Sequence, residues 1–350
     1  MNNISTSDIS IVTVTYNSMR FLNQYFKSII DQNVKCKEVI IIDSGSTDKT
    51  LTSVRKIKDK QKGKLTINIL ESINNIGYTG GNNLGAKNAK GDYLFFLGPD
   101  SKIDKNCLSS LVKKAKLFKG KDFILICRQK RYDTGEFLFD GICTDIFQFP
   151  FRLFNADSPK TSKPPFYCDG TAIFISQSTF NTLGQFDENL FLFCEDIDLS
   201  WKAHLMKIPL INVPEAIVYH YSGGSLSGGI VKVGEYTTTY MRRYLGERNT
   251  ITNFLKNYSV FSLVFILPIY FFINLFEMFV FILFGRSKVA YQYLAAWWWN
   301  IKKFKPILQK RRWIQKRRKI GDWEILKKLY FGSGKFNAFI KIKIPTFENV

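Results

Sequence analysis

Three groups of side chains in this 350-residue chain have the types and spacing to act on a polar, phosphate-bearing ligand. The first is NIGYTGGNNLG, 75 to 85, read as a glycine- and asparagine-rich loop. Its glycines at 77, 80, 81 and 85 let backbone approach a bulky ligand where any Cβ would clash. The amides of Asn75, Asn82 and Asn83 can bond hydroxyls or carbonyls there, a combination that suits a sugar nucleotide. The second is Asp100, which the turn Gly98-Pro99-Asp100-Ser101 delivers as an exposed carboxylate just past the apolar run YLFFL. The third is the acidic run Glu195, Asp196 and Asp198, crowded within one helical turn. Like-charge repulsion there favours a carboxylate able to take a proton from a sugar hydroxyl. Acids are also favourable at a helix N-terminus for structural reasons alone, so spacing leaves both readings open.

These residues need elements to hold them. ISIVTVTY, 9 to 16, reads as an apolar strand, and 20 to 31 carries Phe21, Leu22, Tyr25, Phe26, Ile29 and Ile30 at helical spacing. Asn17 or Ser18 can cap that helix. A second strand ends at Asp43 and turns into a helix start at Asp48; LTINIL, 65 to 70, is a third, and YLFFL, apolar throughout, a fourth. The β-α-β-α-β order predicts an α/β fold with a mostly parallel sheet and right-handed crossovers. Ligands of such sheets bind at the C-terminal strand edge, where Asp43 and Asp100 both belong. Asp-x-x-x-x-Asp at a strand-to-helix turn is equally an ordinary capping arrangement.

The run from Asn75 to Gly85, followed by a strand and a proline-aspartate turn, resembles the family 2 glycosyltransferases, and among them the rhamnosyltransferase-like branch. Its pattern is N-x-G-[FY]-x-x-G-N-N-x-G, a strand, and L-N-P-D. Residues 167 to 220 resemble that family's second signature: a small-residue strand, G-x-F-D-E, an F-x-x-x-E-D-x-D-L helix start, and a strand ending in histidine. The likeness runs from 9 to about 250.

That resemblance implies a GT-A-type nucleotide-sugar-binding domain over 1–255, while the apolar and basic composition of 256–350 marks that part as a membrane-associating region. The resemblance also implies inverting transfer from a thymidine or uridine diphosphate sugar, with rhamnose suggested by the branch, and with Asp196, beside Glu195, as the catalytic base. Donor contacts are implied at Thr15, Asn17, Asp43, Asn75, Gly77, Gly81, Asn82, Asn83, Asp100 and Arg248. Asp43 would accept a hydrogen bond from the imide of uracil or thymine. Acceptor contacts are implied at Asp169, Gly170 and Trp201, and a Mg2+ or Mn2+ ion at Asp100 and His220. Arg242, Arg243 and the Arg248-Asn249 pair would neutralise phosphate, and the glycine-serine stretch 222 to 229 would close over the donor. Two departures stand out. Gly98 replaces the usual asparagine, reducing a two-pronged metal grip to Asp100, and Lys202 replaces an arginine and cannot make a planar bidentate pair.

With 45% hydrophobic residues the chain can fill one large α/β core plus an appendage, which excludes a disordered protein. Six scattered cysteines without a C-x-x-C pair suggest neither a zinc site nor a disulfide scaffold and fit a reducing cytosol. The polar start MNNISTSDIS lacks the apolar core of a signal peptide. The net charge of +21 is concentrated in the tail, where basic residues outnumber acidic ones 17 to 3 from Arg286 onward. Its densest run, KRRWIQKRRK at 310 to 319, follows the apolar stretch 258 to 284 and Trp297 to Trp299, a pattern of an anionic membrane surface rather than nucleic acid. The apolar stretch is long enough to span a bilayer, but a single pass would put the basic tail outside, against the positive-inside tendency. An in-plane or re-entrant helix pair with the tryptophans at the interface is the preferred reading. A spanning helix, or a buried helix or homo-oligomer contact, remain the alternatives. The acceptor expected is a polyprenyl-diphosphate-linked glycan at the cytoplasmic face of the cell membrane.

Two rival classes compete. A nucleotidyltransferase would need a G-x-G-x-R-x-x-P-type loop, which IVTVTYNSMRF lacks. A non-catalytic membrane scaffold has Gly98 and Lys202 in its favour.

Overall fold

The computed structural model describes residues 8–139, 143–151, 165–221, 230–232, 235–330, 332–336 and 345–348. In chain order the elements begin β1 (Ile9–Thr15), α1 (Met19–Ile30), β2 (Glu38–Ser44), α2 (Thr50–Lys60), β3 (Ile67–Ser72), α3 (Gly77–Asn88) and β4 (Tyr93–Leu97). Next come β5 (Ser101–Ile103), α4 (Cys107–Lys116), β6 (Ile124–Arg131), β7 (Phe137–Phe139), β8 (Cys143–Thr144), β9 (Pro150–Phe151), β10 (Ala172–Ser176), α5 (Gln177–Thr182) and α6 (Glu195–Leu205). The rest are β11 (Leu210–His220), β12 (Ile230–Lys232), β13 (Glu235–Thr239), α7 (Tyr240–Asn257), α8 (Val260–Leu283), α9 (Ser287–Lys302), α10 (Phe304–Arg317), α11 (Asp322–Leu326) and β14 (Thr346–Glu348). They form two compact units interleaved in sequence. One comprises Met1–Ile142, Arg152–Phe191 and Ile208–Ser225; the other Cys143–Phe151, Leu192–Lys207 and Leu226–Val350.

The first unit is built on one sheet in the order β3-β2-β1-β4-β10-β6-β11-β5, with β7 on β6. β3, β2, β1 and β4 are parallel, β10 runs antiparallel between β4 and β6, and β11 is parallel to β6. Central strands covered on both faces must be apolar throughout, and the side chains of Val39 to Ile42 and Leu94 to Phe96 are fully buried. α1 turns Phe21, Leu22, Tyr25, Phe26 and Ile29 onto this sheet.

The glycine-rich run is a helix rather than a loop, and this changes what its glycines do. A Cβ at Gly81 would lie 2.5 Å from Val14 Cγ2, and one at Gly85 would lie 2.4 Å from Val12 Cγ1 and 2.7 Å from Ile42 Cδ1. Gly81 and Gly85 thus let α3 press against β1 and β2, and their bare faces meet strands, not a ligand. Gly85→Ala should therefore cost about 1–3 kcal/mol from overpacking despite alanine's better helix propensity. Gly80→Ala, whose Cβ would meet Ile76 at an ordinary 3.4 Å, should be neutral or stabilising by up to about 1 kcal/mol. Thermal melts of the two variants check this, and equal midpoints would refute the packing role.

In the second unit α6 is held by α7. Trp201 is fully buried and packs edge-on against Tyr258 with centroids 4.7 Å apart. Buried Asp198 pairs with Lys256 at 2.9 Å and Lys202 at 3.2 Å, and accepts a hydrogen bond from Asn257 Nδ2. α10 closes the C-terminus of α7, where carbonyls lack helical partners. Arg311 donates to the carbonyls of Leu255 and Tyr258, and Gln315 Nε2 to those of Lys256 and Asn257. The run 310 to 319 therefore divides: Arg311 and Gln315 cap α7, Arg318 pairs with Asp322, and Arg312, Lys316, Arg317 and Lys319 face solvent. The boundary expected at 255 falls inside α7, whose last turn is what α6 packs on.

Candidate active site

The first unit's parallel strands deliver Thr15, Asp43 and Asp100 to one sheet edge. Thr15 and Asp43 are register partners across β1 and β2, and Thr15 Oγ1 donates to Asp43 Oδ1 at 3.1 Å. Asp43 is buried and also accepts from the Ser46 amide at 3.1 Å and the Ser46 hydroxyl at 2.7 Å. Asn17, in the left-handed region at φ 49°, accepts the backbone N–H groups of Thr47 and Asp48 on its Oδ1 at 2.8 and 3.2 Å. Together these bonds fix the 43–48 loop. Neither Asn17 nor Ser18 caps α1 through its side chain; Asp48 Oδ2 accepts from the Met19 amide instead.

Asn75 accepts on its Oδ1 from the Ser44 hydroxyl at 3.1 Å and the Gly77 amide at 2.9 Å, tying β2 to the start of α3. Gly77 has φ +71°, and a Cβ there would lie 2.5 Å from Phe191, so this position requires glycine. The amides expected to meet a ligand at 82 and 83 are spent within the protein, because both residues lie mid-helix on a buried face. Asn82 Nδ2 donates to the Tyr78 carbonyl at 2.9 Å. Asn83 Nδ2 donates to the Phe186 carbonyl at 2.9 Å and to Glu188 at 3.1 Å, and its Oδ1 accepts the Phe186 amide.

Asp100 is 7% exposed, not the open carboxylate expected, because β5 continues directly from it and pairs with β11. Ser101 opposes His220 in that pairing, which brings His220 Nε2 to 3.6 Å from Asp100 Oδ2. The other ring nitrogen, Nδ1, lies 3.4 Å from Thr171 Oγ1. Thr171 was not singled out in the sequence; its neighbours Asp169 and Gly170 were. Asp169 Oδ1 accepts from the Thr171 amide at 2.8 Å and from Gln129 at 3.1 Å, while the Gly170 carbonyl accepts from the Tyr78 hydroxyl at 2.5 Å. A carboxylate and an imidazole with an outer hydroxyl partner suit a divalent cation such as Mn2+. Gly98 adds no ligand, and the described residues contain no cluster of three or more candidate metal-binding side chains.

Glu195, Asp196, Trp201 and Arg248 belong to the second unit. Phe193 and Cys194 precede α6 with φ of 68° and 63°, conformations that cost non-glycine residues of order 1–3 kcal/mol each. Two asparagines one turn apart on α7 hold them. Asn249 Nδ2 donates to the carbonyls of Leu192 and Phe193, both at 2.8 Å, and Asn253 Nδ2 to that of Cys194 at 2.9 Å. These positioning residues were missed as such; their signal is an i, i+4 pair of amides on a buried helix face. Glu195 is buried and Asp196 half-buried, with Asp196 Oδ1 accepting the Ile197 amide at 2.7 Å. Asp198, neutralised by two lysines, does not crowd them as a like charge.

Two expectations are corrected here. Trp201 cannot floor an acceptor sugar, because its ring is fully enclosed against Tyr258. Arg248 is not a donor contact on this geometry: it is buried, with its guanidinium 4.5 Å from the Trp299 ring centroid and its Nε on Asn249 Oδ1. Of the other two arginines, Arg243 pairs with Glu247 at 3.2 Å and Arg242 lies over Phe193. The stretch 222 to 229 lies outside the described residues.

Residues 10–180 match the Glycosyl transferase family 2 model. This region is a family 2 glycosyltransferase domain. This chain is 37% identical over 95 residues to an uncharacterized glycosyltransferase of Haemophilus influenzae, 27% of this chain and 37% of that one. It is 32% identical over 108 residues, 31% of this chain and 34% of the other, to the GalNAc(5)-diNAcBac-PP-undecaprenol beta-1,3-glucosyltransferase of Campylobacter jejuni. Rhamnosyltransferase WbbL of Escherichia coli K12 matches at 25% over 186 residues, 51% of this chain and 69% of WbbL. The first curated relatives are thus matched over about a third of their length. Mannosyltransferase PcManGT of Pyrobaculum calidifontis, solved with GDP-Man and Mn2+, superposes with TM-score 0.51 at 16% identity, covering 89% of this chain and 84% of that one. GalNAc-T7, solved with UDP, GalNAc and Mn2+, gives TM-score 0.58 at 17% identity over 75% of this chain and 50% of its own. The fold of this chain is of the GT-A type.

Proposed function

We propose that this chain transfers a sugar from a thymidine or uridine diphosphate sugar to a hydroxyl of a lipid-linked glycan at the cytoplasmic face of a membrane, inverting the anomeric centre. The observation that carries this is the gathering of Thr15, Asp43, Asp100 and His220 at one edge of a GT-A sheet that matches family 2. Asp43, fixed by Thr15 and Ser46, presents a carboxylate for the imide N–H of uracil or thymine; cytosine has no such donor. Asp100 and His220 would hold a Mg2+ or Mn2+ ion, which supplies neutralisation of diphosphate charge. Asp196 takes the proton of the acceptor hydroxyl as its oxygen bonds to the anomeric carbon, and the bond from that carbon to the diphosphate oxygen breaks on the opposite side. Asn249 and Asn253 hold the turn that aims Glu195 and Asp196. Asp169 and Gly170 line the approach of the acceptor.

Rhamnose as the sugar is favoured by the likeness to WbbL, and a polyprenyl-diphosphate-linked acceptor by the name of the Campylobacter relative. In functional terms we assign donor binding and chemistry to 1–255 and membrane association to 256–350. A panel of nucleotide sugars incubated with the full chain, with hydrolysis and transfer to native membrane lipids measured, tests the reading. Turnover confined to thymidine and uridine diphosphate sugars is expected. Absence of turnover with every nucleotide sugar would favour a scaffold.

A further inference from the structure

α8 is built inside out. Its protein-facing stripe is Ser262, Ile266, Tyr270, Asn274 and Phe281, so polar residues point inward. Its open face is apolar from end to end, with Phe261, Phe272 and Phe276 exposed by 76%, 67% and 68%. A water-facing helix has the opposite polarity. On the inner side Tyr270 and Asn274 reach Glu247 of α7, and Asn274 Oδ1 accepts from Trp297 Nε1 of α9 at 3.0 Å. Lys335 joins Glu247 at 2.9 Å and Glu277 at 3.0 Å. Burial alone would raise the Glu247 carboxyl, but Lys335 and Arg243 beside it hold it down at about 2. α9 adds a second outward stripe, Tyr291, Leu294, Trp298 and Ile301, with Lys302 beside the Trp298 ring. Of the tryptophan triplet only Trp298 is fully outward, since Trp297 bonds Asn274 and Trp299 stacks on Arg248.

We propose that the α8–α9 pair docks in the plane of an anionic bilayer, with its outward apolar face in the lipid and its polar stripe closed on the protein. Spanning conflicts with the inner stripe: the helix is about 36 Å long at 1.5 Å per residue. Its contacts, from Ser259 and Ser262 near Asp322 to Phe281 on Tyr293, tie it lengthwise to α7, α9 and α11. Crossing would pull Arg243, Glu247 and Lys335 into hydrocarbon, where each charge costs several kcal/mol. A second copy fits poorly as occupant, because it would bring two tails of 17 basic against 3 acidic residues together, whereas anionic headgroups complement that charge. Docking would also restrain α6, since Trp201 and Asp198 are fastened to the end of α7, where α8 begins. The inference rests on the proposed reaction only for what the acceptor is.

The full chain should float with vesicles of phosphatidylglycerol and phosphatidylcholine, and at least tenfold less with phosphatidylcholine alone. Phe272→Glu with Phe276→Glu should abolish flotation while leaving the melting temperature within a few degrees, as both side chains are exposed. Gly285→Cys, labelled with an impermeant maleimide in sealed cytoplasmic-face-out vesicles, should react in the same orientation as Ser259→Cys. Unchanged flotation of the double variant overturns the docking face, and labelling of 285 from the opposite side overturns the in-plane geometry. A concentration-dependent dimer that the double variant dissociates, without vesicle binding, assigns the face to a second copy instead. Because no sugar nucleotide is present, these outcomes are independent of whether transfer occurs.

Discussion

Asp196→Asn should lower transfer by about 10² to 10⁴-fold while donor affinity stays within a few-fold of wild type, because the amide keeps the shape but cannot take a proton. The structure makes this substitution clean. The carboxamide oxygen it introduces could still accept the Ile197 amide that Asp196 accepts at 2.7 Å, so the helix start should survive. Glu195→Gln supplies the contrast: Glu195 is buried and Asp196 half-buried, so the outer carboxylate is the one a hydroxyl can reach. Steady-state rates with saturating donor, alongside donor affinity by calorimetry, separate a lost base from a lost site. Wild-type turnover by Asp196→Asn would exclude it as the base and direct attention to Glu195.

Asp100→Ala should be as damaging, and at every metal concentration. His220 would then face the site without its carboxylate partner at 3.6 Å, and Gly98 offers no substitute. Loss of a divalent cation's charge stabilisation is worth several kcal/mol, or about 10² to 10⁴ in rate. A thermal melt of the variant beside wild type separates a lost site from a lost fold. Chelator should silence the wild-type chain, and millimolar Mg2+ or Mn2+ should restore it, since Gly98 supplies no side-chain ligand beside Asp100. Full activity in excess chelator would remove the metal from the proposal and put phosphate neutralisation on protein cations.

The sheet was legible because its evidence is local. Largely apolar runs at 9 to 15, 39 to 42 and 93 to 97 can be little else than buried strands, and their order dictates parallel pairing. Asp43 and Asp100 follow from that topology, since a polar residue ending such a strand arrives at the ligand edge. What the sequence concealed depends on partners distant in the chain. Gly81 and Gly85 look alike whether they spare room for a ligand or for Val14 and Val12, and only the packed helix distinguishes the two. Trp201 reads as a platform until Tyr258 covers it. Arg248 reads as a phosphate ligand until Trp299 stacks on it, and one arginine of the basic run, Arg311, proves to be a helix cap. Thr171 goes unnoticed in the sequence and Asn249 reads with Arg248 as a phosphate contact, because their meaning lies in His220 and in the carbonyls of 192 and 193.

The interleaving of the two units limits how such a protein can be recombined. The segment Leu192–Lys207 sits between stretches of the first unit in sequence, yet it belongs to one compact unit with Cys143–Phe151 and Leu226–Val350. A chimera made by a single crossover near 225 would leave one parent's Trp201 and Asp198 against the other parent's Tyr258 and Lys256. Mismatched volumes and an uncompensated buried charge would follow, the latter alone costing about 3–5 kcal/mol. Exchanging the second unit between relatives therefore requires three grafts made together, and natural variation in this region should be inherited as a block of co-varying positions rather than residue by residue.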